Sequence, residues 1–186
     1  MKNLRILSIA LVAVIGLLAF KSVGEKLVSN KTHIKFFSTT PAEDIEANNY
    51  TAVSTIDKSS GKFVFSVPMQ GFEFPKSLMQ KHFNQEKFLH TKKYPKSKYV
   101  GNITNLSEIN FEKDGTYTAK VEGEMTIKGI TKSVSEDATI KVSDGSVNLE
   151  TKFFITLADY GIEFEKGKPS KNIADKVEVT AVAEYN

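Results

Sequence analysis

The chain has 186 residues, 40% of them hydrophobic, 25% charged and 13 phenylalanine, which is enough apolar material for one compact core and too much for a disordered chain. It contains no cysteine, so disulfides, thiolate metal sites, a cysteine nucleophile and a lipidated N-terminal cysteine are all excluded. The formal charge of +3 invites a nucleic-acid reading, but its source lies at one end of the chain.

That end reads as a secretory leader. Lys2 and Arg5 precede an apolar run from Ile6 to Phe20, shorter than the roughly 20 apolar residues of a stable bilayer-crossing helix, so a removed signal over residues 1–22 is favoured over a permanent anchor. Leu17-Leu18-Ala19 is a poor cleavage sequence, and the cut is placed only between Ala19 and Ser22. Three of the 25 basic residues, Lys2, Arg5 and Lys21, belong to this stretch, which leaves 22 against 22 acidic residues and a mature net charge of about zero. Residues 23–186 are then one exported domain, periplasmic or extracellular, with no nucleic-acid partner expected. Contact with a membrane would be transient or through an uncleaved leader, and a homodimer stays open.

After a polar spacer the chain takes up the two-residue rhythm of strands with one buried face. Phe63, Phe65, Val67 and Met69 form the first such set. Pro75-Lys76-Ser77, followed by Leu78, Met79, His82 and Phe83, has helical spacing and predicts a short helix. The helix leads into Phe88, Leu89, Tyr94 and Pro95, so an apolar-faced helix and loop lie between two strands, as a lid or as a plug at one end of a core. Alternation resumes through Tyr117, Ala119, Val121, Gly123, Met125 and Ile127, then through Val147, Leu149, Thr151, Phe153, Ile155 and Leu157, and finally from Val177 to Tyr185. Ser59-Ser60-Gly61, Asp114-Gly115 and Asp144-Gly145 are turn signals, the last two of hairpin type. About eight antiparallel strands with two edges to hide predict an all-β fold closed into a barrel, with a two-sheet sandwich as the rival.

Chemistry is hard to find. The three histidines, His33, His82 and His90, include no pair at metal-binding helical spacing, and no nucleophile elbow, P-loop or dinucleotide fingerprint occurs. No catalytic residue, metal or cofactor is assigned. His82 is better read as a structural histidine than as a contact for a ligand's polar head, and Asp159-Tyr160-Gly161 as turn chemistry. Four glycosylation-type sequons, at Asn30, Asn49, Asn102 and Asn105, receive no role. What remains is an inward apolar set: Phe63, Phe65, Val67, Met69, Tyr99, Ile103, Met125, Ile127, Phe153 and Ile155, with Leu78, Met79 and Phe83 above. Gly101, Gly123 and Ala119 share the inward parity and leave room, so that Gly123→Phe is expected to obstruct a ligand without disturbing the fold. Periodicity leaves two outcomes equal, a barrel filled by its own side chains and a barrel that holds one apolar ligand.

The ordered motifs resemble the YceI-like family of exported bacterial proteins. They run from Phe63-Val64-Phe65-Ser66-Val67-Pro68 through Leu78-Met79-Gln80-Lys81-His82-Phe83, Phe88-Leu89, Lys93-Tyr94-Pro95 and Tyr99-Val100-Gly101. They continue with the hairpin Gly123-Glu124-Met125-Thr126-Ile127-Lys128-Gly129-Ile130-Thr131-Lys132, the most specific element, then Asp159-Tyr160-Gly161-Ile162 and Asp175-Lys176-Val177. The resemblance implies an extended, lipocalin-like barrel whose lumen holds a long isoprenoid or other lipid chain. Two departures stand out. The region before Phe63 looks shorter and less typical than the family's opening strands, and Phe74-Pro75-Lys76-Ser77 stands where an arginine-aspartate pair is often found. No polar head-group contact is carried over.

Overall fold

The computed structural model describes residues 26–162 and 172–185, so the expected leader lies outside the described residues. The strands in chain order are β1 (Lys26–Thr39), β2 (Asp44–Asp57), β3 (Lys62–Pro68), the two-residue β4 (Phe72–Glu73), β5 (Lys96–Ile103), β6 (Gly115–Ile127), β7 (Ile130–Ser143), β8 (Ser146–Thr156) and β9 (Lys176–Tyr185). One helix, α1 (Ser77–Asn84), falls where its spacing predicts it. Eight strands run antiparallel in the order β1-β9-β8-β7-β6-β5-β3-β2, and pairing of β1 with β2 closes the sheet into a barrel. β4 continues the β3 side of β2 through Asn48↔Glu73 and Asn49↔Phe72. The sandwich alternative is thereby excluded.

The polar spacer turns out to be structure. It forms β1 and β2, each 14 residues long, which close the barrel. Their period is hidden because the small or polar inward residues Ser29, Thr32, Ala47, Asn49, Ala52 and Ser54 interrupt the large ones, Ile34, Ile45 and Ile56. The parity also breaks in both strands. Buried positions pass from Ser29 to Thr32 and from Asn49 to Ala52, and the β1–β2 register shifts around Thr32, so each strand slips by one residue at an irregularity. Asn49 secures this point. It is fully buried, donates Nδ2 to the Pro68 carbonyl at 2.7 Å, and accepts the Thr51 amide and hydroxyl at 2.9 Å each, which makes it an integral strut rather than a surface sequon.

Two of the hairpins are the tight type I′ form, which needs positive φ at both central residues. Asp144 and Gly145 (φ 50° and 77°) join β7 to β8 as expected, and Lys128 and Gly129 (φ 51° and 78°) join β6 to β7. Asp114-Gly115 is not a hairpin turn. β5 ends at Ile103, a 3-10 turn at Leu106–Glu108 and a loop follow, and Asp114 instead accepts the Asp144 amide at 3.2 Å. It ties two loops at one end of the barrel.

The barrel is packed differently along its length. At the end carrying the β7–β8 hairpin, Ile56, Ile140, Val142, Val147 and Leu149 fill the interior, all at most 3% exposed. Among them lies a buried polar chain: the Tyr185 hydroxyl is 2.8 Å from Ser54 Oγ, which is 3.1 Å from Thr32 Oγ1, which reaches Ser29 Oγ at 3.3 Å. With Thr32 donating to Ser29, the chain runs one way, Tyr185 to Ser54 to Thr32 to Ser29, so the two middle hydroxyls both donate and accept and every member has a partner.

At the opposite end α1 crosses the barrel with one face down. Phe83, 5% exposed, is the hub of a cluster with Phe36, Phe72, Phe74 and Phe88, ring centroids 5.1–5.9 Å apart. These are the separations at which aromatic pairs attract beyond simple burial. Lys76 Nζ, just ahead of the helix, meets Glu43 Oε1 at 2.7 Å and links it to the β1–β2 connection.

Candidate functional site

Between the two packed ends the barrel is hollow. A cavity of about 570 Å³ occupies the half beneath α1, within the usual size range of small-molecule sites. Its walls are the inward residues of the strands. They include Ile34 and Phe36 of β1, Phe63, Phe65 and Val67 of β3, Tyr99 of β5, Val121, Met125 and Ile127 of β6, Phe153 and Ile155 of β8, and Val177 and Val179 of β9. Met79, Phe83, Phe88 and Leu89 roof it, while Glu43, His82 and Gln85 stand at the rim.

The expected apolar set can now be placed residue by residue. Phe63, Phe65, Val67, Met69, Met79, Phe83, Tyr99, Met125, Ile127, Phe153 and Ile155 all line the cavity. Two residues do not. Leu78 is 60% exposed on the outer side of α1, because only one stripe of an eight-residue helix can face the barrel and Phe83 takes it. Ile103 is 4% exposed but sits in the packed core near the end of β5, outside the hollow half.

The expected space at small residues is taken up. Gly101 and Gly123 pair across β5 and β6. A β-carbon on Gly101 would lie 2.7 Å from the Tyr99 hydroxyl and 2.9 Å from its ring, so Tyr99 lies folded over that glycine. A β-carbon on Gly123 would collide with the Val100 carbonyl and the Gly101 backbone. Both glycines permit close backbone approach where the sheet bends. Gly123→Phe would therefore damage the wall instead of obstructing the lumen, and Ala119, fully buried, belongs to the packed half.

Polar groups in the lumen are few. The Tyr99 hydroxyl is buried without a hydrogen-bond partner among the described residues, and its pKa is pushed up to about 12, chiefly by burial and then by the charges of Glu136 and Glu122. Glu136 faces inward from β7 between Val134 and Ala138, and burial, with Asp137 beside it, raises its pKa above the ordinary carboxylate range. Periodicity had not singled it out. The signal was available, since Val134, Glu136, Ala138, Ile140 and Val142 share one parity.

His82 is exposed at the rim, and Asp159-Tyr160-Gly161 is a 3-10 turn capped by Gly161 in the left-handed conformation (φ 61°), in keeping with a turn role. No group of three or more His, Asp or Glu able to hold a metal occurs among the described residues, and none of their helices is long and apolar enough to cross a membrane.

Solved structures with the same architecture accompany this geometry. A polyisoprenoid-binding domain from Saccharophagus degradans, implicated in plant cell wall breakdown, superposes with a TM-score of 0.73 at 10% identity, over 87% of this chain and 97% of that one. BcnA from Burkholderia cenocepacia gives 0.70 at 15% identity, over 84% and 97%. A YCEI protein of Campylobacter jejuni gives 0.55 at 19% identity, over 73% and 80%. At these identities the likeness speaks for the fold. Comparison with curated proteins found no match. The YceI-like domain matches residues 26–185, spanning β1 to β9 and with them every wall of the cavity, and on that match the chain belongs to the YceI-like domain family.

Proposed function

We propose that this protein holds a long apolar chain, an isoprenoid or another lipid, inside the barrel, for carriage, storage or sequestration in the cell envelope after export and loss of residues 1–22. The observation that carries this reading is the cavity: about 570 Å³ of hollow interior walled almost entirely by Phe, Ile, Val, Leu and Met side chains. A barrel that served only as a structural or interaction module would gain stability by filling that space, since unfilled apolar volume costs packing energy. The Saccharophagus domain, named for polyisoprenoid binding, supports the same ligand class.

Binding would come from area. Each methylene removed from water contributes roughly 0.8 kcal/mol, so some ten buried methylenes supply about 8 kcal/mol before the cost of immobilising the chain is subtracted. The selectivity would be for length and width, with flexible Met69, Met79 and Met125 adapting the wall to branches or double bonds.

The test is native mass spectrometry of the protein purified from its own host, followed by denaturation and identification of any released lipid. A stoichiometric added mass matching an isoprenoid or acyl chain is the expected result. A bare protein mass that persists after incubation with polyprenols and fatty acids would overturn the reading.

A further inference from the structure

Among the described residues the cavity is floored by the packed core and roofed by Met79, Phe83, Phe88 and Leu89, but its side wall is not fully paired. β7 stays paired with β6 along its length, from Ile127↔Ile130 to Gly115↔Val142, and β8 stays paired with β9 from Val147↔Tyr185 to Thr156↔Lys176. Between β7 and β8 the ladder runs only from Ser143↔Ser146 to Ala138↔Thr151. Beyond that point residues 130–137 and 152–156 face one another with no strand pairing between them. The last tie is a side-chain one, Thr151 Oγ1 donating to the Asp137 carbonyl at 2.8 Å.

The opening is bounded at its far end. There the 3-10 turn at Leu157–Tyr160 packs back toward β7, Lys128 Nζ donates to the Gly161 carbonyl at 2.7 Å, and Ile130 lies against Gly161. Among the described residues the result is a window in the wall, with a floor, a lintel and two unpaired strand edges.

The cavity-facing residues beside the window, Val134, Glu136, Phe153 and Ile155, are all partly exposed, as Phe36, Val67 and Tyr99 are elsewhere on the wall, whereas Val121, Met125, Ile127, Val177 and Val179 on the neighbouring strands are buried. Glu136 fits this pattern physically. A carboxyl pointing into an apolar lumen is costly unless water reaches it, and here it stands at the inner rim of the unpaired stretch between β7 and β8. On the outer lip Phe154 is 62% exposed, and at the far end of the opening Ile130 is 38% exposed, large apolar groups at which a chain leaving water would first find contact.

Building on the carrier reading, we propose that the apolar ligand enters and leaves sideways, through the window between β7 and β8, and that α1 with its phenylalanine cluster is a fixed plug rather than the door. Opening the helix end would break the contacts of Phe83 with four other rings. Opening the window breaks no backbone pairing among the described residues.

The chain has no cysteine, so an introduced pair is unambiguous. Ser135→Cys with Phe154→Cys places thiols on the two lips. Glu43→Cys with Lys76→Cys, at side chains that already meet at 2.7 Å, staples the helix end instead. Loading of parinaric acid, a fluorescent polyene fatty acid, is followed by stopped flow with each pair oxidised and then reduced. Oxidation of the 135/154 pair is expected to slow loading at least tenfold and reversibly, and oxidation of the 43/76 pair to leave it within twofold. The reverse pattern, or no effect from either staple, overturns the window. Failure of the unaltered protein to take up parinaric acid or any other apolar probe overturns the carrier reading, and the window with it.

Hydrogen exchange on the unaltered protein keeps the proposal falsifiable should a variant not fold. Amides of residues 131–137 and 152–156 whose N–H groups face the window are expected to exchange at least tenfold faster than paired amides of β6. Equal protection would show a closed wall and overturn the proposal.

Discussion

Two tyrosines offer the same chemical change with opposite consequences. The Tyr185 hydroxyl is the end of the buried chain through Ser54 and Thr32, with its ring 1% exposed. Tyr185→Phe removes one hydrogen bond and leaves Ser54 with one partner fewer in a site closed to water, a loss of about 1–2 kcal/mol. The Tyr99 hydroxyl is buried with no partner among the described residues. Tyr99→Phe deletes a polar group whose desolvation nothing offsets, a gain of about 1 kcal/mol. The two variants should then differ by about 2–3 kcal/mol, or roughly 4–12 °C in Tm for a domain of this size. Urea unfolding at neutral pH measures the difference, with an unchanged m-value as the check that the unfolded state is unaltered. Alkali adds a second readout. Burial pushes the Tyr99 phenol up to about 12 and raises that of Tyr185 further, although its bond to Ser54 acts in the opposite direction. An unfolded tyrosine releases its proton near 10, so between about pH 10 and 12 the folded state binds more protons than the unfolded one and stability falls as pH rises. Each variant should lose less stability over that range than the parent. A Tyr99→Phe protein as destabilised as Tyr185→Phe would refute the reasoning, because it would mean that the Tyr99 hydroxyl is satisfied.

Two further outcomes follow from single side chains. Phe83→Ala removes the hub of the aromatic plug and should cost about 3–5 kcal/mol by urea unfolding, while enlarging the cavity under α1; a cost below about 1 kcal/mol would mean the roof is not packed as described. Asp57 caps the β2–β3 turn, accepting the Ser59 hydroxyl at 2.6 Å and the Ser59 and Ser60 amides at 3.0 Å, and these bonds, the Ser59 hydroxyl first, lower its pKa from 3.8 to about 2. A carboxylate depressed in the folded state stabilises above its unfolded pKa and ceases to do so as pH falls through the folded one. The parent should therefore lose stability between about pH 4 and 2, and Asp57→Asn should flatten that part of the acid unfolding curve; an identical slope in the two proteins would dismiss the turn as its source.

Strands with a strong inward set were legible from the chain alone. Phe63 to Val67 of β3, Tyr117 to Ile127 of β6, Val147 to Ile155 of β8 and Val177 to Tyr185 of β9 alternate because one face of each is buried, and the period of two is a property of extended backbone. The helix over Ser77–Asn84, the Asp144-Gly145 turn and most of the cavity wall were legible for the same local reasons. Tertiary structure decided the rest. β1 and β2 carry small and polar inward residues and a parity slip in each strand, so only their pairing with each other and with β9 and β3 reveals them as strands. The fate of Gly101 and Gly123 depended on how closely two backbones approach, and that of Leu78 on which stripe of a short helix meets the barrel. Above all, the hollow beneath α1 and the window beside it are differences in volume and in pairing between strands far apart in sequence. Residue types along one strand carry no record of either, because a cavity is defined by what the opposite wall fails to fill.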